Sequence, residues 1–310
     1  MQTEDLHIVL TVAKLRSITA AANHLDMRTS TASAAVKRVE ANLGVDLFVR
    51  TTRQLRLSAA GERYLPQCQQ ALSLLDSAKL NMQEDSDVVA GELRISAPSD
   101  LGRNVLTPWL DEFIDTHPQV SIRMLISDSQ IDFYRDSIDL AFRYGFPNDA
   151  NLYGFKICNV PRVVCATPAY LAKHGTPAHP QELTQHNGLF YQLHDVIHDV
   201  WKFTDRTTQT ECKVKMSGNR AANDGELVHR WCVAGKGIAA KSSLDMAADL
   251  LANRVHAILT QYPLISTELW LVTPSKQAIT PAVRLLRDHF REKTKGLLDE
   301  MVARGLLPHY

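Results

Sequence analysis

The stretch from Ser17 to Gly61, SITAAANHLDMRTSTASAAVKRVEANLGVDLFVRTTRQLRLSAAG, constrains this chain more than any other. Ile18, Ala21, Ala22 and Leu25 fall at helical spacing and form one apolar face. After a break at Asp26-Met27, Ala32, Ala35, Val36, Val39 and Leu43 form a second face. Two helices this short, joined by so brief a turn, must cross steeply, which predicts a helix-turn-helix. The polar face of the second helix offers Thr29, Ser30, Ser33 and Lys37, groups suited to a DNA major groove. Arg50, Arg53 and Arg56 then punctuate the alternating segment VRTTRQLRLS, which fits the strands of a wing beside the phosphate backbone. Residues 1–58 therefore read as a DNA-binding head.

At these positions the chain resembles the LysR-type transcriptional regulators. Ser17, Ala21, Ala22, Leu25, Ser33, Val39, Glu40, Leu43, Gly44, Leu47, Phe48, Arg50, Thr51, Arg53, Leu57, Ser58 and Gly61 match the family pattern in one register. The likeness continues at Ala166 to Leu171 and at Ala234 to Ile238. It implies an α+β multidomain chain: a winged helix-turn-helix, a linker helix over 59–88, and a two-lobed α/β effector domain over 89–310 like a periplasmic binding protein. It further implies a sequence-specific regulator of transcription, modulated by a small molecule in the interlobe cleft and assembled as a dimer or tetramer on double-stranded DNA. Arg28, Thr29, Ser30, Ser33 and Ala34 are then expected at the bases, with Lys37, Arg50 and Arg53 at phosphates or the minor groove. Thr29 and Ala34 stand where relatives commonly carry Gln and Arg, and Arg28 where they carry Ser, so a different operator preference is expected. Ala34 offers no bidentate bond to guanine, a contact that Arg28 is placed to supply.

Charge agrees. The chain is neutral overall, but residues 1–65 hold 9 Lys/Arg against 6 Asp/Glu and the remainder 25 against 28. A head at +3 and a body at −3 suits presentation of one end to nucleic acid. Five cysteines without paired spacing, and no signal-peptide pattern, point to reduced thiols and a cytoplasmic location. No apolar run approaches the roughly 20 residues of a bilayer span, so no membrane partner is expected.

In the linker, Tyr64, Cys68, Ala71, Leu75, Ala78 and Met82 repeat at spacings of four and three, the seam of a coiled coil. A helix packed on its own head gives the same periodicity; the resemblance favours pairing of two subunits. Pro66 lacks an N–H and predicts a kink or a later start.

The body alternates strands and helices, which predicts largely parallel α/β sheets. The resemblance divides it into a first lobe, about 89–161 and 267–310, and a second, about 162–266, with crossovers near 159–162 and 265–268. Ligands of such sheets gather beyond the carboxyl ends of strands. That rule, on the implied architecture, nominates Ser96, Ser99, Ser127, Gln130, Arg143 and Gly145 from the first lobe, and Phe203, Asn223, Gly237 and Ala239 from the second. Arg143 suits a carboxylate effector. Gly235 and Gly237 serve backbone geometry first, and Lys241 is expected as a solvated surface lysine. Asp100 opposes an anion at the first helix start or simply caps it.

Rival functions have thinner support. No HExxH, GxSxG, Walker A or zinc-ligand spacing appears, so neither enzyme nor cofactor nor metal is expected. His194 and His198 at helical spacing are the nearest approach to a metal-dependent site. A thiol-based redox sensor remains the other alternative, with Cys212 and Cys232 as its candidates.

Overall fold

The computed structural model describes residues 2–50, 55–81, 89–129, 131–133, 136–146, 149, 151–193 and 195–307, without the side chains of 50, 70, 73–74 and 76–81. Two compact units emerge: Met1–Asp85 with Asp132–Ser137, and Ser86–Ile131 with Ile138–Tyr310.

The first unit opens with α1 (Thr3–Leu15), α2 (Ile18–His24) and α3 (Thr29–Leu43). The apolar faces close on one another, leaving Val9, Val12, Ala21, Ala22, Ala32, Ala35 and Val39 without solvent contact. Ser17 caps α2 by accepting from the Ala20 N–H at 3.2 Å. The break is a left-handed Asp26 (φ 51°), and Gly44 (φ 69°) ends α3. Strands β1 (Phe48–Arg50) and β2 (Leu55–Leu57) pair antiparallel as the wing. Glu40 Oε1 holds that wing to α3, accepting from the N–H groups of Leu47 (2.8 Å) and Phe48 (3.2 Å).

Helix α4 (Ala59–Asn81) runs continuously through Pro66, without the late start anticipated for it. A Cβ on Gly61 would meet the Leu47 carbonyl oxygen at 2.2 Å, so only glycine fits where α4 passes the wing. Leu65, Cys68 and Leu72 are buried in the head's own core and Tyr64 packs beside them. Two of the six anticipated seam positions, Tyr64 and Cys68, are thus covered within the chain, because α4 lies against α1. Ala71 and Leu75 remain exposed, while Met82 lies outside the described residues.

The second unit contains β3 (Gly91–Ala97), α5 (Ser99–Leu101), a π-helical turn (Gly102–Leu106), α6 (Thr107–Thr116), β4 (Val120–Ile126), β5 (Leu140–Tyr144) and β6 (Tyr153–Val160). There follow β7 (Arg162–Ala166), α7 (Pro168–His174), β8 (Asn187–Leu193), β9 (Val196–Ile197), β10 (Val200–Thr204), β11 (Glu211–Lys215) and β12 (Ser217–Ala222). The chain ends with α8 (Gly225–Val233), β13 (Ile238–Ser242), α9 (Ala247–Leu251), β14 (His256–Ile258), β15 (Thr267–Thr273) and α10 (Pro281–Ala303).

One sheet has the order β4-β3-β5-β15-β6 and the other β12-β8-β13-β7-β14. Each is mixed rather than largely parallel: β15 runs antiparallel to β5 and β6, and β7 antiparallel to β13 and β14. These two are the strands that enter a sheet at a crossover, β7 just after Pro161 and β15 just after Ser266. We call the two sheets with their helices the first and second lobes. The first core centres on Ile95, Leu106, Leu140, Phe142 and Phe290. The second sheet has a core on each face, one around Leu183 and Phe203 and the other around Cys165, Cys232 and Met301. Helix α10 reaches both lobes, Phe290 entering the first core and Met301 the second. Thr280 caps it by accepting from the Val283 N–H, with Pro281 in the first turn.

Candidate functional site

Two surfaces gather the chemistry. On the first unit, Arg28, Thr29 and Ser30 are exposed at the start of α3, Lys37 is exposed two turns on, and Ser33 and Ala34 are half-buried between them. Arg56 is exposed on the wing opposite Val49. The Arg50 side chain and all of Arg53 lie outside the described residues. Arg38 sits beside Lys37 but is engaged elsewhere, its Nε donating to Asp5 Oδ2 at 3.0 Å. Its hydrogen bonds hold the Asp5 carboxyl below the usual carboxylate range. The free polar groups thus lie on the outer face of α3, at its N-terminal half.

On the second unit, the segment after β3 meets the segment before α8. Ser99 donates its N–H to Asp128 Oδ1 (2.7 Å) and its hydroxyl to Asp128 Oδ2 (2.6 Å), and accepts from the Glu226 N–H (3.1 Å). Asp128 Oδ2 also accepts from the Gly225 N–H at 2.6 Å, so one carboxylate ties both lobes. In the π-helical turn, Arg103 donates to Glu226 Oε2 at 2.5 Å; such turns recur at functional sites.

Behind this lies a buried charge cluster. Lys241 Nζ sits 2.5 Å from Asp100 Oδ2 and 3.5 Å from Asp245 Oδ2. His229 bridges Asp100 Oδ1 (2.8 Å) and Asp249 Oδ2 (2.7 Å). Tyr144 donates to Asp245 Oδ1 at 2.6 Å across the same boundary. Burial opposes the positive charge on Lys241, but Asp100 and Asp245 outweigh it and hold the ammonium above its ordinary value. The same contest raises His229 to about 9, burial being outweighed by its bonds to Asp100 and Asp249. Burial pushes Asp245 up to about 6, with Lys241 pulling the other way.

Arg143 is the cation left over. It ends β5 half-buried, donating at 3.0 Å to the Phe142 carbonyl and at 3.0 Å to Ser96 Oγ, with no carboxylate in ion-pair distance among the described residues. Desolvation lowers it to about 10, while the nearby charge of Asp128 and the Tyr191 phenol pull it back. Burial in turn raises Tyr191 to about 12.

The nominated effector residues divide accordingly. Ser96, Ser99 and Arg143 belong to this locality. The Ser127 hydroxyl accepts from the Ser129 N–H, and Gly145 takes a left-handed φ of 77° with open space around it. Asn223 is exposed beside the cluster, and Gln130 lies outside the described residues. Phe203 is a correction: it has no solvent contact and packs in a core of the second lobe, because β10 turns it inward with Trp201. Ala239 is another, buried in the opposite core. Gly237 is packed against the Asn187 carbonyl oxygen, where a Cβ would come within 2.4 Å, so its role is backbone fit. Lys241, expected in solvent, is 7% exposed. It lies two residues beyond Ala239 on the same strand face, and there the face passes from core to lobe boundary. Asp128, Glu226, His229, Asp245 and Asp249 went unnominated. One signal was available: Glu226, His229 and Cys232 recur every three residues, which puts two ionisable groups on the buried stripe of α8.

A hollow of about 50 Å³ lies elsewhere, lined by Arg162, Arg206, Tyr262 and Leu307 among others, and shares no residue with this cluster. His198 stacks on Tyr191, and His194 lies outside the described residues.

Comparison with known proteins decides the family. Residues 3–62 match the bacterial regulatory helix-turn-helix of the lysR family, and residues 86–295 match the LysR substrate binding domain. The chain belongs to the LysR family of regulators. It is 32% identical over 298 residues to the probable HTH-type transcriptional regulator LtrA of Klebsiella pneumoniae, covering 94% of this chain and 95% of that one. It is 30% identical over 292 residues to the transcriptional regulator PtxR of Pseudomonas aeruginosa, covering 94% and 93%. Among solved structures, the full-length Vibrio cholerae virulence activator AphB superposes with a TM-score of 0.58 at 25% identity, covering 94% of this chain and 98% of that one. As a LysR-type regulator, the chain carries a DNA-binding helix-turn-helix and an effector-binding domain. No helix among its described residues is long and apolar enough to cross a membrane.

Proposed function

We propose that this LysR-type regulator reads operator DNA with the outer face of α3 and its wing, and that a small carboxylate held by Arg143 between the lobes sets its activity. Arg143 carries the reading: a half-buried guanidinium at a strand end, bonded among the described residues only to neutral oxygens, is a site prepared for an anion. Ser96 supplies a hydroxyl beside it, and Tyr191 adds a phenol from the second lobe. A ligand there acts only through different affinity for two arrangements of the lobes. The bonds of Ser99, Asp128 and Arg103 to the second lobe are the ones such a ligand strengthens or breaks.

Arg28, Thr29 and Ser30 meet base edges in this reading, with Ser33 and Ala34 behind them and Lys37, Arg50 and Arg53 at the backbone. LysR-type regulators are multimeric, and the exposed Ala71 and Leu75 of α4 are the positions offered to a second subunit, dimers pairing further to tetramers. Two linked heads gain affinity through effective concentration. A cytoplasmic location, with its thiols reduced, accords with these roles.

Titration of the full-length protein against its own upstream DNA over a salt series tests the regulator. Tight binding that survives competitor DNA and falls steeply with salt is expected. Binding no tighter than to random DNA, with and without a carboxylate panel, would contradict it.

A further inference from the structure

We propose that the effector is an amino carboxylate, a short amino acid whose carboxylate meets Arg143 and whose ammonium meets Asp128. The inference rests on the effector reading above and adds the ligand's second charge. Such a ligand is a carboxylate in that reading, whatever its net charge.

Three neighbouring parallel strands set the geometry. Ser96 on β3 pairs with Leu125 of β4 on one side and with Ala141 of β5 on the other. Asp128 lies in the segment that follows β4, and Arg143 lies near the carboxyl end of β5. Strands run about 4.8 Å apart, so these two backbones stand about 10 Å apart with β3 between them. Both side chains lean inward over the end of β3. Arg143 donates to Ser96 Oγ at 3.0 Å, and Asp128 accepts from the N–H and the hydroxyl of Ser99 at 2.7 and 2.6 Å. Their reach closes most of the gap and leaves the span of a short amino acid.

The protein neutralises neither charge. Among the described residues, Arg143 has no carboxylate and Asp128 no cation in ion-pair distance. The donors to Asp128 are all neutral: the Ser99 N–H, the Ser99 hydroxyl and the Gly225 N–H. Oδ1 takes only the first of these bonds and keeps a lone pair free. The field of Asp128 nevertheless reaches Arg143, and Tyr191 on the second lobe feels both of them together with Asp224. Opposite charges thus share one cleft without pairing. Other cations nearby are committed: Lys241 to Asp100 and the Gly225 carbonyl, and Arg103 to Glu226.

Asp224 deepens the acidic side. Its Oδ1 stands 3.2 Å from the Ser99 hydroxyl, whose single proton serves Asp128 at the shorter distance. Acceptors therefore exceed donors at this end, and an ammonium brings three donors. A second carboxylate on the ligand would instead meet the like charges of Asp128 and Asp224. Because Asp128 also holds Gly225, an ammonium here acts on a bond that joins the lobes. The cysteines anticipated as a sensing pair take no part: Cys212 and Cys232 pack in cores on opposite faces of the second sheet.

The experiment is calorimetric titration of the full-length protein with matched ligands. The L- and D-amino acids, β-alanine and γ-aminobutyrate are each compared with the acids carrying hydrogen or hydroxyl in place of the amine. The expected result is at least one amino carboxylate that binds about 10- to 100-fold more tightly than its matched acids, the value of a charged hydrogen-bonded contact. Asp128→Asn should bring that ligand down to the affinity of its matched acids. Matched acids that bind as tightly as their amino partners, or dicarboxylates that bind more tightly than any amino acid, overturn the proposal and leave the reading of Arg143 standing. Absence of binding by every amino carboxylate overturns it as well, and the plain acids then tell whether the reading of Arg143 falls with it. The wild-type comparison decides even where Asp128→Asn disturbs the tie between the lobes.

Discussion

Lys241 Nζ lies 2.5 Å from Asp100 Oδ2, joining the second sheet to the helix that leads the first lobe, with both side chains nearly closed to water. Such a pair stabilises little against an apolar replacement, yet breaking it strands a charge. Asp100 also bonds His229 and Asn104, so its loss strands more than one group. Asp100→Ala should therefore cost roughly 3–5 kcal/mol in urea unfolding. A cost under about 1 kcal/mol would mean that the cluster is wet or rearranges freely.

The same cluster makes stability fall with alkali. His229 is raised to about 9 in the fold, so its contribution is complete below the free value of about 6.5 and lost as pH rises through 9. Asp245, raised to about 6, also loses its contribution as pH rises, in a lower window. The groups facing His229 are Asp100, Asp249 with its partner Arg254, Lys241 and Cys232. Thermal unfolding from pH 6.5 to 9.5 should show a fall in melting temperature that His229→Gln flattens. Parallel curves for the two proteins would remove His229 as the cause.

On the head, neighbouring cations are predicted to behave differently. Lys37→Ala should weaken binding to all DNA and flatten the log–log salt slope by about 0.9 for each lost phosphate contact. Arg38→Ala should keep the slope and lower the melting temperature instead, because Arg38 serves Asp5. Equal slopes for Lys37→Ala and wild type would move the DNA face off this side of α3.

Gly61→Ala places a Cβ 2.2 Å from the Leu47 carbonyl oxygen at the passage of α4 by the wing. The backbone has to shift, and a loss of roughly 2–3 kcal/mol is expected by chemical denaturation of the full-length protein. Wild-type stability would show that the junction has slack.

The head was legible because its information is local. Ala21, Ala22, Ala32, Ala35 and Val39 announce two helical faces within twenty-odd residues, and every one of them is buried. The seam of α4 was legible only in part: Tyr64 and Cys68 carry the periodicity of a coiled coil, but the same spacing serves packing on α1. Strand ends such as Ser96, Ser99 and Arg143 follow from strand alternation. Their second-lobe partners do not, since Ser99 and Glu226, or Asp100 and Lys241, are separated by more than a hundred residues and each looks like a surface polar group alone. Lys241 was misplaced for that reason. Phe203 and Ala239 were misplaced because alternation gives two faces without saying which one meets the other lobe.

Calorimetric titration of short mono- and dicarboxylates into the full-length wild type and Arg143→Gln tests the central claim most directly. The account predicts that at least one carboxylate binds the wild type and that Arg143→Gln weakens it by about 10- to 100-fold, the value of one charged hydrogen-bonded contact. Equal affinity for both proteins, or binding of only neutral or cationic ligands with Arg143 present, would contradict it.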